Sequence, residues 1–103
     1  MTSYFSSVEW DDRKAEINAR KHGITFEEAE TVFDDYYARV IPDEEHSALE
    51  DRFIILGLSV PANVLVVCHC YREGGQVLRI ISARRATKSE EKTYWRFRDE
   101  GRV

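Results

Sequence analysis

The chain has 103 residues, 43% of them hydrophobic and 33% charged, with a formal net charge of −4 at pH 7. That length fits one domain with a small core, and that hydrophobic content excludes a disordered chain. The negative sum argues against a dedicated nucleic-acid binder, but the charge is unevenly spread. Glu27 to Asp51 holds ten acidic residues against one basic, whereas Arg79 to Arg98 holds seven basic against two acidic. A basic C-terminal third suits phosphate, and an acidic middle suits a basic protein partner.

Met1 to Ser7 lacks the basic start and apolar run of a secretory signal, and the longest apolar run, Val64 to Cys68, is far too short to span a bilayer. A cytoplasmic location is expected. Val8 to Trp10 reads as a short strand. Asp11 caps a helix reaching Lys21 or His22, and Gly23 stops it. The apolar stripe of that helix is weak: Ala15, Ile17 and Asn18. Thr25-Phe26-Glu27-Glu28 is a capping box. It opens a second helix to about Asp34, in which Phe26, Ala29 and Phe33 recur at helical spacing and face a core.

Tyr37 to Ile41 reads as a strand ended by Pro42, and a polar loop follows to Asp51. Arg52 to Val60 is the next strand, Pro61-Ala62-Asn63 a turn, and Val64 to Arg72 another strand. Glu73-Gly74-Gly75-Gln76 signals a hairpin that returns as Val77 to Arg84. Thr87-Lys88-Ser89-Glu90 is a second capping box, opening a helix that ends near Gly101. Strands joined by tight turns predict an antiparallel meander. Helices segregated from strands predict an α+β fold, with the two early helices on one face and the C-terminal helix near the edge of a partly open one. On the last strand, simple alternation places Arg79, Ile81, Ala83 and Arg85 on one side and Leu78, Ile80, Ser82 and Arg84 on the other. Both middles are apolar, which predicts a central strand covered on both faces.

Polar residues gather in three places: Asp43, His46, Glu50 and Arg52 around the long loop; Arg72 and Arg79 beside the hairpin; and Arg84, Arg85, Lys88 and Tyr94 at the end of the last strand and in the last helix. Attack of a 2′-hydroxyl on the adjacent phosphate needs a base, an acid and cations, but no metal. Histidine is the natural proton carrier near neutral pH, and the arginine fork fits phosphate oxygens. His22 lies at the end of a helix, where the dipole alone explains a cation. His69 lies mid-strand and reads as a core histidine, which leaves His46 as the catalytic candidate. Trp10, Tyr94 and Trp95 are candidates for base stacking. Cys68-His69-Cys70 invites a metal reading, but alternation turns His69 away from the cysteines and no second cluster completes a zinc site. Reduced core filling suits Cys68 and Cys70 better.

Glu9-Trp10-Asp11, Lys14, Asn18, Lys21-His22-Gly23, Phe26-Glu27-Glu28-Ala29 and Val32-Phe33 together resemble the start of BrnT-type toxins. So do the Asp43, His46, Glu50 and Arg52 spacing and the run Arg79-Ile80-Ile81-Ser82-Ala83-Arg84-Arg85-Ala86-Thr87 with Glu91 and Tyr94. The resemblance spans about Val8 to Tyr94. It implies a RelE-like α+β fold and a metal-independent ribonuclease that halts translation, requiring no cofactor. It also implies neutralisation by a BrnA-type antitoxin in a two-plus-two complex, with operator DNA bound only through the antitoxin. The positions it marks are His46, Glu50, Arg52, Arg72, Arg84, Arg85 and Tyr94, without dividing acid from base. On this reading His46, Glu50, Arg52, Arg84, Arg85 and Tyr94 are catalytic, and Arg72, Arg79, Lys88 and Lys92 contact RNA. The rival reading is a non-catalytic subunit that holds a small basic partner on its acidic face.

Overall fold

The computed structural model describes residues 5–48 and 50–100. The first strand, β1, is Ser7–Glu9. Helix α1, Asp12–His22, begins where the Asp11 carboxylate accepts the Lys14 N–H at 3.0 Å and stops at Gly23, in the left-handed region at φ 70°. Helix α2, Phe26–Thr31, is capped by the Thr25 hydroxyl, which accepts the Glu28 N–H, and tightens into a 3₁₀ turn over Val32–Asp34. Strand β2 is Arg39–Pro42, shifted towards Pro42 from the expected span, and a 3₁₀ turn at Glu44–His46 follows it. Strands β3, Arg52–Leu58, β4, Val64–Arg72, and β5, Val77–Arg85, are joined by the expected turns. Helix α3 is Lys88–Glu100, and its expected end near Gly101 lies outside the described residues.

The five strands form one sheet in the order β1-β5-β4-β3-β2. The last four pair antiparallel, but β1 pairs parallel to β5, Ser7 opposite Val77 and Glu9 opposite Arg79. The expected antiparallel meander is therefore corrected to a mixed sheet. Tight turns dictate the hairpin pairings, whereas β1 has no strand next to it in sequence. Its partner is set by Phe5, Val8 and Trp10 packing against the core.

That core lies between the sheet and the first two helices. Ile24, Phe26, Ala29, Val32 and Phe33 meet Ile55, Leu65, Val67, Leu78, Ile80 and Ala83, all nearly or fully buried. Gly57 lets the 3₁₀ turn lie close on β3, because a Cβ there would stand 3.1 Å from Ala38 Cβ and 3.2 Å from Val32 Cβ.

Alternation fails once, on β5. Cys68 pairs with Ser82 but His69 pairs with Ile80, so Ile81 is an extra residue in the ladder. A bulge of this kind inverts the facing of everything beyond it. Leu78, Ile80 and Ala83 all reach the core. Ile81, Ser82 and Arg84 line a groove on the opposite face. The expectation of a strand covered on both faces is corrected too, since Ser82 is exposed. Helix α3 covers only part of that second face, beside Ile54, Leu56 and Val66.

Candidate functional site

Three neighbouring strands floor the groove on the open face: β5 with Ile81 and Ser82, β4 with Val66 and Cys68, and β3 with Arg52 and Ile54. It holds about 290 Å³, and its polar rim is His22, Asp43, His46 and Arg84. The bulge is what turns Arg84 into it.

One wall is the turn after β2. Asp43 is 8% exposed, and its carboxylate oxygens lie 3.0 and 3.2 Å from Nδ1 of His46. The turn is knitted from within. The Ser47 hydroxyl donates to the Asp43 carbonyl at 2.6 Å and accepts the Arg52 N–H at 3.0 Å, and the Asp43 N–H reaches the Arg52 carbonyl. A carboxylate on Nδ1 fixes the tautomer and leaves Nε2 as the working nitrogen. The His46 side chain is 60% exposed, so that nitrogen is open to a substrate.

Two guanidiniums stand close by. Arg52 is half-buried, its Nε has no hydrogen-bond partner, and it forms no ion pair with the described residues. A half-buried arginine without a counter-ion is a ready seat for an anion. Arg84 forms a two-pronged pair with Glu90, at 2.8 and 3.0 Å, which clips the start of α3 to the groove. Arg84 holds the Glu90 carboxyl down at about 2. The Thr87 N–H also donates to Glu90, closing the capping box read from the sequence.

Cys68 borders the groove with its thiol 3.8 Å from Asp43 Oδ2. Burial and then the Asp43 charge push that thiol up to about 11, which leaves it protonated and a poor nucleophile. Cys70 is raised for the same reasons, with Glu50 as its acidic neighbour. His69 points the other way, into the core, and among the described residues no three His, Cys, Asp or Glu side chains are grouped to hold a metal.

The structure brings together His46, Arg52 and Arg84 of the expected site residues. Glu50 adjoins His46 and Arg52 in a neighbouring hollow of about 390 Å³ and pairs with Arg72 at 3.3 Å. Arg79 pairs with Glu9 at the β1 edge. Lys88 and Lys92 lie on the outer side of α3 with Trp95. Arg85 and Tyr94 are likewise not brought to the groove. Arg85, beyond the bulge, bonds Asn63 at 2.8 Å. Tyr94 is fully buried, its hydroxyl 2.5 Å from Asp35 and accepting from Arg98, with its pKa driven up to about 12 by burial and then by Asp35. Of the stacking candidates, Trp10 packs edge-on against Phe26, and Trp95 is 42% exposed.

Sequence reasoning missed His22, which lines the groove from the end of α1. The signal was Asn18, a polar residue in an apolar stripe. It is buried, donates to Ala83 O at 2.8 Å and Ile24 O at 3.0 Å, and accepts the Ala83 N–H at 3.0 Å. It thereby moors the last turns of α1 along β5.

An imidazole backed by a carboxylate, with two guanidiniums at hand, defines a site able to move a proton and hold a phosphodiester. A family model for the ribonuclease toxin BrnT of type II toxin-antitoxin systems matches residues 10–90. The chain therefore belongs to the BrnT family of ribonuclease toxins. Its fold is similar to the crystal structure of the Brucella abortus ribonuclease toxin BrnT, with a TM-score of 0.62 and 27% identity, covering 80% of this chain and 97% of that one. No curated protein matches this chain.

Proposed function

We propose that this protein is a metal-independent endoribonuclease with a RelE-like fold that acts in the cytoplasm and inhibits translation. A BrnA-type antitoxin neutralises it in a two-plus-two complex and carries the operator-binding domain. The observation that supports cleavage is the Asp43–His46 pair facing the unpartnered Arg52 in the same groove as Arg84. His46 Nε2 serves as a proton carrier, Asp43 positions its ring, and Arg52 and Arg84 stabilise charge on phosphorus. Glu50 steadies the turn through Arg72. The RNA strand outside the groove runs past Arg72 and Arg79 on one side and Lys88 and Lys92 on the other. Arg85 and Tyr94 support the scaffold.

The non-catalytic reading draws on the exposed Glu27, Glu30, Glu44, Glu45 and Asp51. An acidic face and a nuclease groove are compatible, the first serving the antitoxin.

The test is cleavage of RNA in EDTA, with and without ribosomes, by the wild type and by His46→Ala, Arg84→Ala and Asp43→Asn, each checked for fold by circular dichroism. Wild-type cleavage, with a loss of about 10²-fold or more in His46→Ala, is expected. Asp43→Asn should lower kcat more than it raises KM. An intact wild type that cleaves neither free nor ribosome-bound RNA would leave only the interaction module.

A further inference from the structure

We propose that His22 is the second proton-transfer group of this groove and donates to the leaving 5′ oxygen while His46 takes the 2′ proton. The inference rests on the ribonuclease reading above and names the partner that His46 needs.

The argument begins with placement. His22 and His46 are 24 positions apart in sequence but line the same groove. They reach it from opposite sides. α1 runs beside β5, moored there by Asn18 on Ala83. The His46 turn connects β2 to β3, two strands further across the sheet. Two strand spacings are roughly 10 Å, so two imidazoles leaning in from these walls leave room between them for one phosphodiester. Arg84 stands on the His22 side and Arg52 on the His46 side.

The two rings are also set up differently. Nδ1 of His46 is held by Asp43, which leaves Nε2 free to accept a proton. The His22 side chain makes no hydrogen bond or ion pair with the described residues, and His22 ends a helix, whose negative pole faces it. Two rings on opposite sides of a phosphate, one to take a proton and one to give it, are the two halves of a displacement at phosphorus.

The step balances. The 2′ oxygen gives its proton to His46 Nε2 and bonds to phosphorus, the bond from phosphorus to the 5′ oxygen breaks, and that oxygen takes a proton from His22. The products are a 2′,3′-cyclic phosphate and a 5′-hydroxyl. The two rings exchange protonation states and are reset by solvent.

A sulfur substitution at the leaving atom separates the two roles. A thiolate leaves without being protonated, so a 5′-bridging phosphorothiolate substrate does not need the donor. His22→Ala and His22→Gln, both checked for fold, should cleave ordinary RNA about 10²- to 10⁴-fold more slowly than wild type. On the phosphorothiolate they should recover most of that loss, whereas His46→Ala should stay slow on both. His22 variants that cleave ordinary RNA at the wild-type rate, or that sulfur does not rescue, would overturn the assignment while leaving the ribonuclease reading intact. A wild type inert on both substrates, with and without ribosomes, would overturn both.

Discussion

At the scale of single residues, the three histidines part company by environment. His22 and His46 face the groove, and His69 is buried among Phe33, Phe53 and Tyr71, with ring centroids 4.8, 6.0 and 5.5 Å away. Nδ1 of His69 lies 3.2 Å from the Val67 carbonyl, and burial depresses its pKa from 6.5 to about 4. The folded protein therefore keeps this ring neutral where an unfolded chain would protonate it. Stability that is fully present above pH 6.5 should drain away as pH falls towards 4. In His69→Phe this component of the melting-temperature profile should flatten between those limits. An unchanged slope would place the acid sensitivity elsewhere. The core role of His69 was readable from its mid-strand position. The groove position of His22 was not, because a histidine at a helix end is already explained by the dipole.

At the scale of elements, local signals were the legible ones. Asp11, Thr25 and the Thr87–Glu90 box cap the helices they were expected to cap. The β4–β5 hairpin turns at Gly74-Gly75 with positive φ angles. What failed depended on distant partners: the parallel pairing of β1, and the bulge at Ile81, which no periodicity in β5 announces because both of its faces read apolar. The surroundings of Tyr94 were set by a distant partner too. Its helical position says nothing of the Asp35 carboxylate that receives it. The α1–β5 mooring offers a direct test. Asn18 satisfies both the N–H and the C=O of Ala83, and each buried group left unpaired costs about 1–3 kcal/mol. Asn18→Leu should lower the urea-unfolding free energy by several kcal/mol, and a loss below about 1 kcal/mol would mean the edge is satisfied some other way.

At the scale of the molecule, a chain of net charge −4 must admit a polyanion to a small cationic groove. The exposed Glu44 and Glu45 immediately precede His46 in the same 3₁₀ turn. Exposed charges act over about 8 Å at physiological salt, so these two should slow RNA approach without touching the chemistry. Glu44→Lys with Glu45→Lys should raise kcat/KM several-fold at low ionic strength and converge with wild type at high salt. A gain that persists in high salt would point to direct contact. The groove itself has a further consequence. Its parts come from residues 22, 43, 46, 52 and 84, and β5 supplies a floor strand while pairing with both β1 and β4. A polypeptide still being synthesised thus carries no assembled site until β5 has been made and has docked. On the reading proposed here, the cell gains a toxin abruptly, and partial products terminated before residue 77 would be harmless to it.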